Sequence, residues 1–202
     1  MSQFFEHLIT VFMAFFAIMN PIANTTVFAG LTAEMSHSEQ RKIAFKSLMI
    51  TFVIIVLFAL LGKSIFHLFG ISLPALRIAG GILVFVVGYH MLHGQSSKLH
   101  SAAANADNNI AISPLAVPLL AGPGTIATAM NYSADGGWQQ ISITVVSFTV
   151  LCLITFFCFI FSSKIIAAIG ESGLSIVTRL MGLILSVIGV QMIIDGASIV
   201  IT

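Results

Sequence analysis

The chain has 202 residues, 58% of them hydrophobic and only 7% charged, with a mean hydropathy of +1.08, whereas soluble domains carry about 25% charged residues. This composition excludes a soluble globular protein and predicts an integral membrane protein forming a single transmembrane domain over residues 1–202. A net charge of +1 leaves no basic stripe to neutralise phosphates, which excludes nucleic acid as a partner and leaves the lipid bilayer.

In chain order, residues 7–33 are the first of two runs of 27 without Asp, Glu, Lys or Arg. No basic residue precedes it, so the run lacks the lead of a cleaved signal peptide and predicts a retained first span at about 4–30. Asn20-Pro21-Ile22-Ala23-Asn24-Thr25-Thr26 interrupts the run; Pro21 has no amide hydrogen to give, so the helix is expected to break there. Ser36, with Glu39 three residues later, has the spacing of a capping box feeding a second span at 43–62. A third span at 74–93 carries Arg77, Gly80, Gly81 and Gly88, small residues that let helices approach closely. His90 and His93 end it as an H-x-x-H pair without a third ligand, so no metal site is expected. The polar stretch that follows, GQSSKLHSAAANADNN, has no apolar period and reads as a cytoplasmic linker, 95–109, between residues 1–94 and 110–202.

The second uncharged run, 108–134, contains Pro114-Leu-Ala-Val-Pro118-Leu-Leu-Ala-Gly122-Pro123-Gly124-Thr125-Ile-Ala-Thr128. Its prolines remove backbone donors and its glycines turn freely, so a fourth span at 110–132 is expected to break. Exposed backbone in hydrocarbon costs several kcal/mol per group, and a break is stable only when buried in protein or lining a cavity. This stretch is therefore read as the wall of a site. A fifth span, 139–161, holds Cys152 and Cys158, which at a spacing of six point to different faces and read as packing residues. A sixth, 179–201, begins at Arg179 and contains Gly182, Ser186, Gly189, Gln191 and Asp195.

Pro21 and Pro123 stand 102 positions apart, as do Thr26 and Thr128, Arg77 and Arg179, Gly80 and Gly182, and Gly94 and Gly196. Three spans per copy is an odd number, so the second copy must run inverted to the first. The expected fold is an all-α membrane protein of six transmembrane helices in two inverted three-helix repeats (1–94 and 110–202), with spans 1 and 4 broken at their Pro/Gly motifs. Loops on one side collect Arg41, Lys42, Lys46, Lys98, Lys164 and Arg179, against Lys63 and Arg77 on the other, which predicts periplasmic N- and C-termini.

A broken helix presents an N-terminus whose free N–H groups attract a carboxylate, and unwound carbonyls suited to an ammonium group. Two facing breaks match an amino-acid zwitterion. The expected binding residues are Asn20, Pro21, Asn24, Thr25, Thr26, Pro118, Gly122, Pro123, Gly124, Thr125 and Thr128, with Gln191, Asp195, Arg77 and Arg179 as secondary candidates. For any single hydroxyl, a bond back to its own helix is the plainer expectation. No hydrolase, zinc or nucleotide motif occurs, so no catalytic residue, metal or cofactor is expected and the chain is read as a non-enzyme.

NPIANTTVF, LRIAGGILVFVVGYHML, ISPLAVPLLAGPGTIAT and RLMGLILSVIGVQMIIDG resemble, in that order and over nearly the whole chain, the MarC family of bacterial inner-membrane proteins, also grouped as neutral amino acid transporters. The resemblance implies a six-span protein of the bacterial inner membrane. It also implies a secondary transporter, importer or exporter, of small neutral amino acids such as glycine and alanine. A passive channel and a non-transporting structural or regulatory membrane protein are the alternatives. A coupling ion, H+ or Na+, and assembly into a homo-oligomer are left open. Many relatives have Pro where Thr26 stands here, which implies a milder first break in this chain.

Overall fold

A computed structural model describes residues 2–33, 35–70, 72–93, 111–134 and 137–201, and the regular structure among them is entirely helical. The linker expected at 95–109 lies outside the described residues. The helices are α1 (Ser2–Met19), α2 (Pro21–Leu31), α3 (His37–Phe69), α4 (Leu73–Leu92), α5 (Ala111–Leu120, wound as a π-helix), α6 (Pro123–Ala134), α7 (Trp138–Ile160) and α8 (Ser162–Ile201).

Among the described residues, four stretches are long and apolar enough to cross a membrane: Phe5–Leu31 across α1 and α2, His37–Gly62, Trp138–Ile160 and Ser172–Ile199. Arg77–Leu92 is a shorter apolar helix. The run expected as a fourth span is divided between the 10 residues of α5 and the 12 of α6, each too short at about 1.5 Å rise per residue to cross about 30 Å of hydrocarbon alone.

Two boundaries differ from expectation for local reasons. Helix α3 starts at His37, six residues before the expected span, because Ser36 and Glu39 close a capping box. The Ser36 amide donates to Glu39 Oε2 at 2.9 Å, and the Glu39 amide donates back to Ser36 Oγ at 3.4 Å, which satisfies donors that a helix start leaves free. Helix α8 starts at Ser162 and turns at Gly170, whose φ of 71° and ψ of 164° interrupt the helical backbone. Only a residue without a Cβ takes that conformation without strain.

Two seams organise the bundle. Along the first, α1 and α2 run parallel to α7: Ser147 Oγ donates to the Leu8 carbonyl at 3.5 Å, Phe15 meets Phe148 edge-on at 5.0 Å, and Phe28 stacks on Phe159 at 4.4 Å. The four aromatic rings are fully buried and anchor the larger core, with Leu115 and Leu120 from α5 and Leu151 from α7. Along the second seam α4 and α8 run antiparallel in the most extensive helix contact of the molecule. A Cβ built on Gly81 would sit 2.6 Å from the Gly189 carbonyl oxygen, and one on Gly88 2.7 Å from that of Gly182. Glycine is thus required for the backbones to touch, which is how helices associate where no hydrophobic effect drives them.

The distribution of polarity is the reverse of a soluble bundle. Thr25, Thr51, Thr144 and Thr155 are buried, while Leu57, Leu153, Phe157, Val187 and Ile194 point outward. That pattern suits a protein whose surroundings are lipid.

Candidate functional site

The chain interrupts its helices at two places in the interior, and in each a proline opens the next helix. At the first, the interruption is one residue wide. Asn20 adopts φ 41° and ψ 73°, the left-handed region open to asparagine. Pro21 marks the interruption without itself being deformed: it sits at the first position of α2, where its missing N–H has no intrahelical role. Residues Pro21 to Thr26 are therefore helical, and the broad gap expected over Asn20 to Thr26 shrinks to its first member.

Two asparagine side chains replace the lost backbone bonds. The Ala23 amide donates to Asn20 Oδ1 at 3.2 Å, and Asn24 Nδ2 donates to the Met19 carbonyl. The Asn20 amide still reaches the Phe16 carbonyl at 2.9 Å, and the Asn24 amide the Asn20 carbonyl at 3.1 Å. The kink is thereby nearly self-satisfied. Thr25 and Thr26 spend their hydroxyl protons on their own helix, on the Pro21 and Ala23 carbonyls at 2.7 Å each. One group is left over: Asn20 Nδ2 is buried and has no hydrogen-bond partner among the described residues.

The second interruption falls at Ala121–Gly122. Upstream, Pro118 lies inside α5 and does not end it. Because a proline gives no amide to the i−4 ladder, the winding loosens, and the Ala121 amide reaches back five residues to the Ala116 carbonyl at 2.8 Å. Pro123 opens α6 as Pro21 opens α2, and the Ile126 amide closes the first bond on the Gly122 carbonyl at 3.0 Å. Gly124 is buried, and a Cβ there would meet Ile18 Cδ1 at 3.0 Å and Val84 Cγ2 at 3.8 Å. This contact sets the first turn of α6 beside the last turn of α1, two residues from Asn20. Thr125 and Thr128 are 3% and 1% exposed, and Thr128 Oγ1 has no partner among the described residues.

The two helices run away from a shared middle, so their N-termini both face it. Helix α2 runs toward the end where Phe28 stacks on Phe159. Helix α6 runs the other way, to where Tyr132 meets His7 edge-on at 6.1 Å and Asn131 accepts a bond from Arg77. Each contributes a positive dipole end to the region between. Two helix starts, a buried amide donor and a buried hydroxyl thus lie at the interruptions, and none of these named groups is ionised.

The four secondary candidates do not join them. Arg77 Nε donates to Asn131 Oδ1 at 2.9 Å, tying α4 to the C-terminal turn of α6. Gln191 Nε2 donates to Asp195 Oδ1 at 2.7 Å on the outer face of α8. Arg179 lies in an open recess with Ser172, Ser175 and Ile176. Gln191, Asp195 and Arg179 are exposed on α8, while the interruptions lie in the interior. Three residues that matter to the site carried no signal in the sequence. Ile18 and Val84, the neighbours of Gly124, are ordinary apolar positions. Asn131 became legible only as the partner of Arg77.

Comparison with known proteins bears on the whole chain. Residues 5–201 match the model of a family described as MarC family integral membrane protein. The UPF0056 membrane protein YvbG of Bacillus subtilis is 36% identical over 196 residues, covering 94% of this chain and 93% of its own length. A UPF0056 membrane protein of Methanocaldococcus jannaschii is 38% identical over 196 residues, covering 95% and 96%. The UPF0056 inner membrane protein MarC of Salmonella paratyphi A is 33% identical over 195 residues, covering 89% and 88%. No solved structure gives a significant match.

Proposed function

This chain belongs to the MarC family of integral membrane proteins, and from that premise we propose that it is a secondary transporter of small neutral amino acids, or similarly small zwitterionic metabolites, in the bacterial inner membrane. The solute sits between the two interruptions. Its carboxylate takes the first-turn amides of α6 and the Asn20 side-chain amide donor at the start of α2, whose Ala23 amide Asn20 Oδ1 already holds, and its ammonium takes the carbonyls that the broken ladders leave under-used. In this reading six spans form two inverted repeats, 1–94 and 110–202, with both termini periplasmic. The antiparallel glycine seam of α4 and α8 lies on the pseudo-symmetry axis.

The observation that carries the reading is that, of the buried polar atoms without a partner among the described residues, two, Asn20 Nδ2 and Thr128 Oγ1, lie one at each interruption. A buried donor left unmade costs about 1–3 kcal/mol. A solute that satisfies both repays that cost on binding.

The test is flux of glycine and alanine into proteoliposomes. Saturable uptake with counterflow is expected of a carrier, and imposed H+ and Na+ gradients identify the coupling ion. Thr128→Val keeps the side-chain shape and breaks no bond among the described residues, so it is expected to lower uptake about ten- to a hundredfold, the worth of one hydrogen bond to a charged group. Unchanged uptake in Thr128→Val would remove the proposed site. Flux without counterflow would instead indicate a passive channel.

A further inference from the structure

Arg77 and Arg179 stand 102 positions apart, yet their surroundings differ. Arg77 donates to Asn131. The residue 102 positions before Asn131 is Ala29, which has no acceptor side chain to offer Arg179. Among the described residues Arg179 has no hydrogen-bond or ion-pair partner, and neither do the hydroxyls of Ser172 and Ser175. Elsewhere Ser133, Ser142, Ser186 and the nearby Thr178 each donate to a carbonyl four residues back.

Ser172, Ser175 and Arg179 follow one another at spacings of three and four, so they share one face of α8. All three are exposed, and with Ile176 they line an open recess of roughly 450 Å3. The recess lies near one end of the bundle. Gly182 packs against the backbone of Leu92 at the C-terminal turn of α4. Arg41, Lys42 and Lys164 belong to the same end, since α3 follows the end of α2 and α8 follows the end of α7, which the Phe28–Phe159 stack brings together. Outward from the recess, Ile176, Leu180 and Leu183 form an exposed apolar strip.

We infer that Arg179, Ser175 and Ser172 form a binding site for a phosphate group, and that its source is the headgroup of an anionic phospholipid. The planar guanidinium takes two phosphate oxygens side by side, and each hydroxyl can donate to a further oxygen. The apolar strip gives acyl chains a surface to lie on, which a free phosphate ion would not need. Basic residues at the same end raise the local concentration of anionic lipid.

The full-length protein in mild detergent is titrated with phosphatidylglycerol, phosphatidylcholine and inorganic phosphate, while thermal stability and lipid retention by native mass spectrometry are followed. Phosphatidylglycerol is expected to raise the melting temperature, because a ligand that binds only the folded state stabilises it by mass action. Arg179→Gln is expected to weaken that binding about tenfold, the loss of one charge-assisted contact. The double variant Ser172→Ala/Ser175→Ala should weaken it less. Among the described residues none of the three site side chains has a partner, so the variants are expected to keep their ligand-free melting temperature, which is measured alongside. Equal phosphatidylglycerol binding by wild type and Arg179→Gln, or no stabilisation of wild type, overturns the inference. An equal, Arg179-dependent response to inorganic phosphate overturns the lipid assignment.

Discussion

At Asn20 a single left-handed residue separates two helices, and two asparagine side chains take over the bonds the backbone has lost. At Ala121–Gly122 no side-chain bond of this kind does the same work among the described residues. There α5 loosens into π winding, and the start of α6 is located by packing, with Gly124 against Ile18. Both interruptions begin from the same chemistry, a proline without an amide hydrogen. The first answers it locally and is stiff; the second answers it through a tertiary contact and depends on its neighbour. In a protein where two breaks form one site, the second is the place where the geometry yields first.

The largest expected effect follows from that dependence. Gly124→Leu forces side-chain volume into the 3.0 Å contact with Ile18 and should displace α6, abolishing saturable uptake in proteoliposomes and costing about 1–3 kcal/mol of stability. If Gly124→Leu transports normally, the second interruption is not held by packing and the contrast collapses. Next in size is Asn24→Ala, which leaves the Met19 carbonyl without its side-chain donor. Thermal unfolding should show a loss of about 1–3 kcal/mol, and a negligible change would mean that water or backbone movement replaces the bond.

The sharpest comparison uses one substitution at two positions 102 apart. Thr128→Val removes a buried hydroxyl that has no partner, and is expected to raise stability by about 1 kcal/mol while lowering uptake. Thr26→Val removes a hydroxyl bonded to the Ala23 carbonyl, and is expected to lower stability by up to about 1 kcal/mol. Melting temperatures of the two variants should move in opposite directions. If both fall, Thr128 has a structural partner and its role in the site is lost.

The same pair of threonines shows how far the sequence could be read. Thr26 and Thr128 are indistinguishable by residue type and by position in the repeat pattern, and both were expected to line the site. Which hydroxyl is spent on its own helix depends on side-chain rotamer and on neighbours, neither of which is written in spacing. Pro21 gave a correct signal of interruption but the wrong width. A proline tolerated at the first position of a helix marks an edge, and the residue before it, Asn20, carries the deformation. The glycines of α4 and α8 were legible as a close-packing seam because small residues at helical spacing have little else to do in an apolar helix.

By itself the sequence determined that this chain belongs in a lipid bilayer, where its helices lose ladder bonds, and that the two losses recur at an interval of 102 residues. These follow from composition and from backbone chemistry that acts within a few residues. Only the tertiary structure decided that Gly124 meets Ile18, that Asn20 Nδ2 and Thr128 Oγ1 stay unpaired, and that Arg77 finds Asn131 while Arg179 finds none. Hydrogen bonds and packing contacts are settled by which atoms lie within about 3–4 Å, and residues far apart in the chain reach that distance only once the bundle has closed.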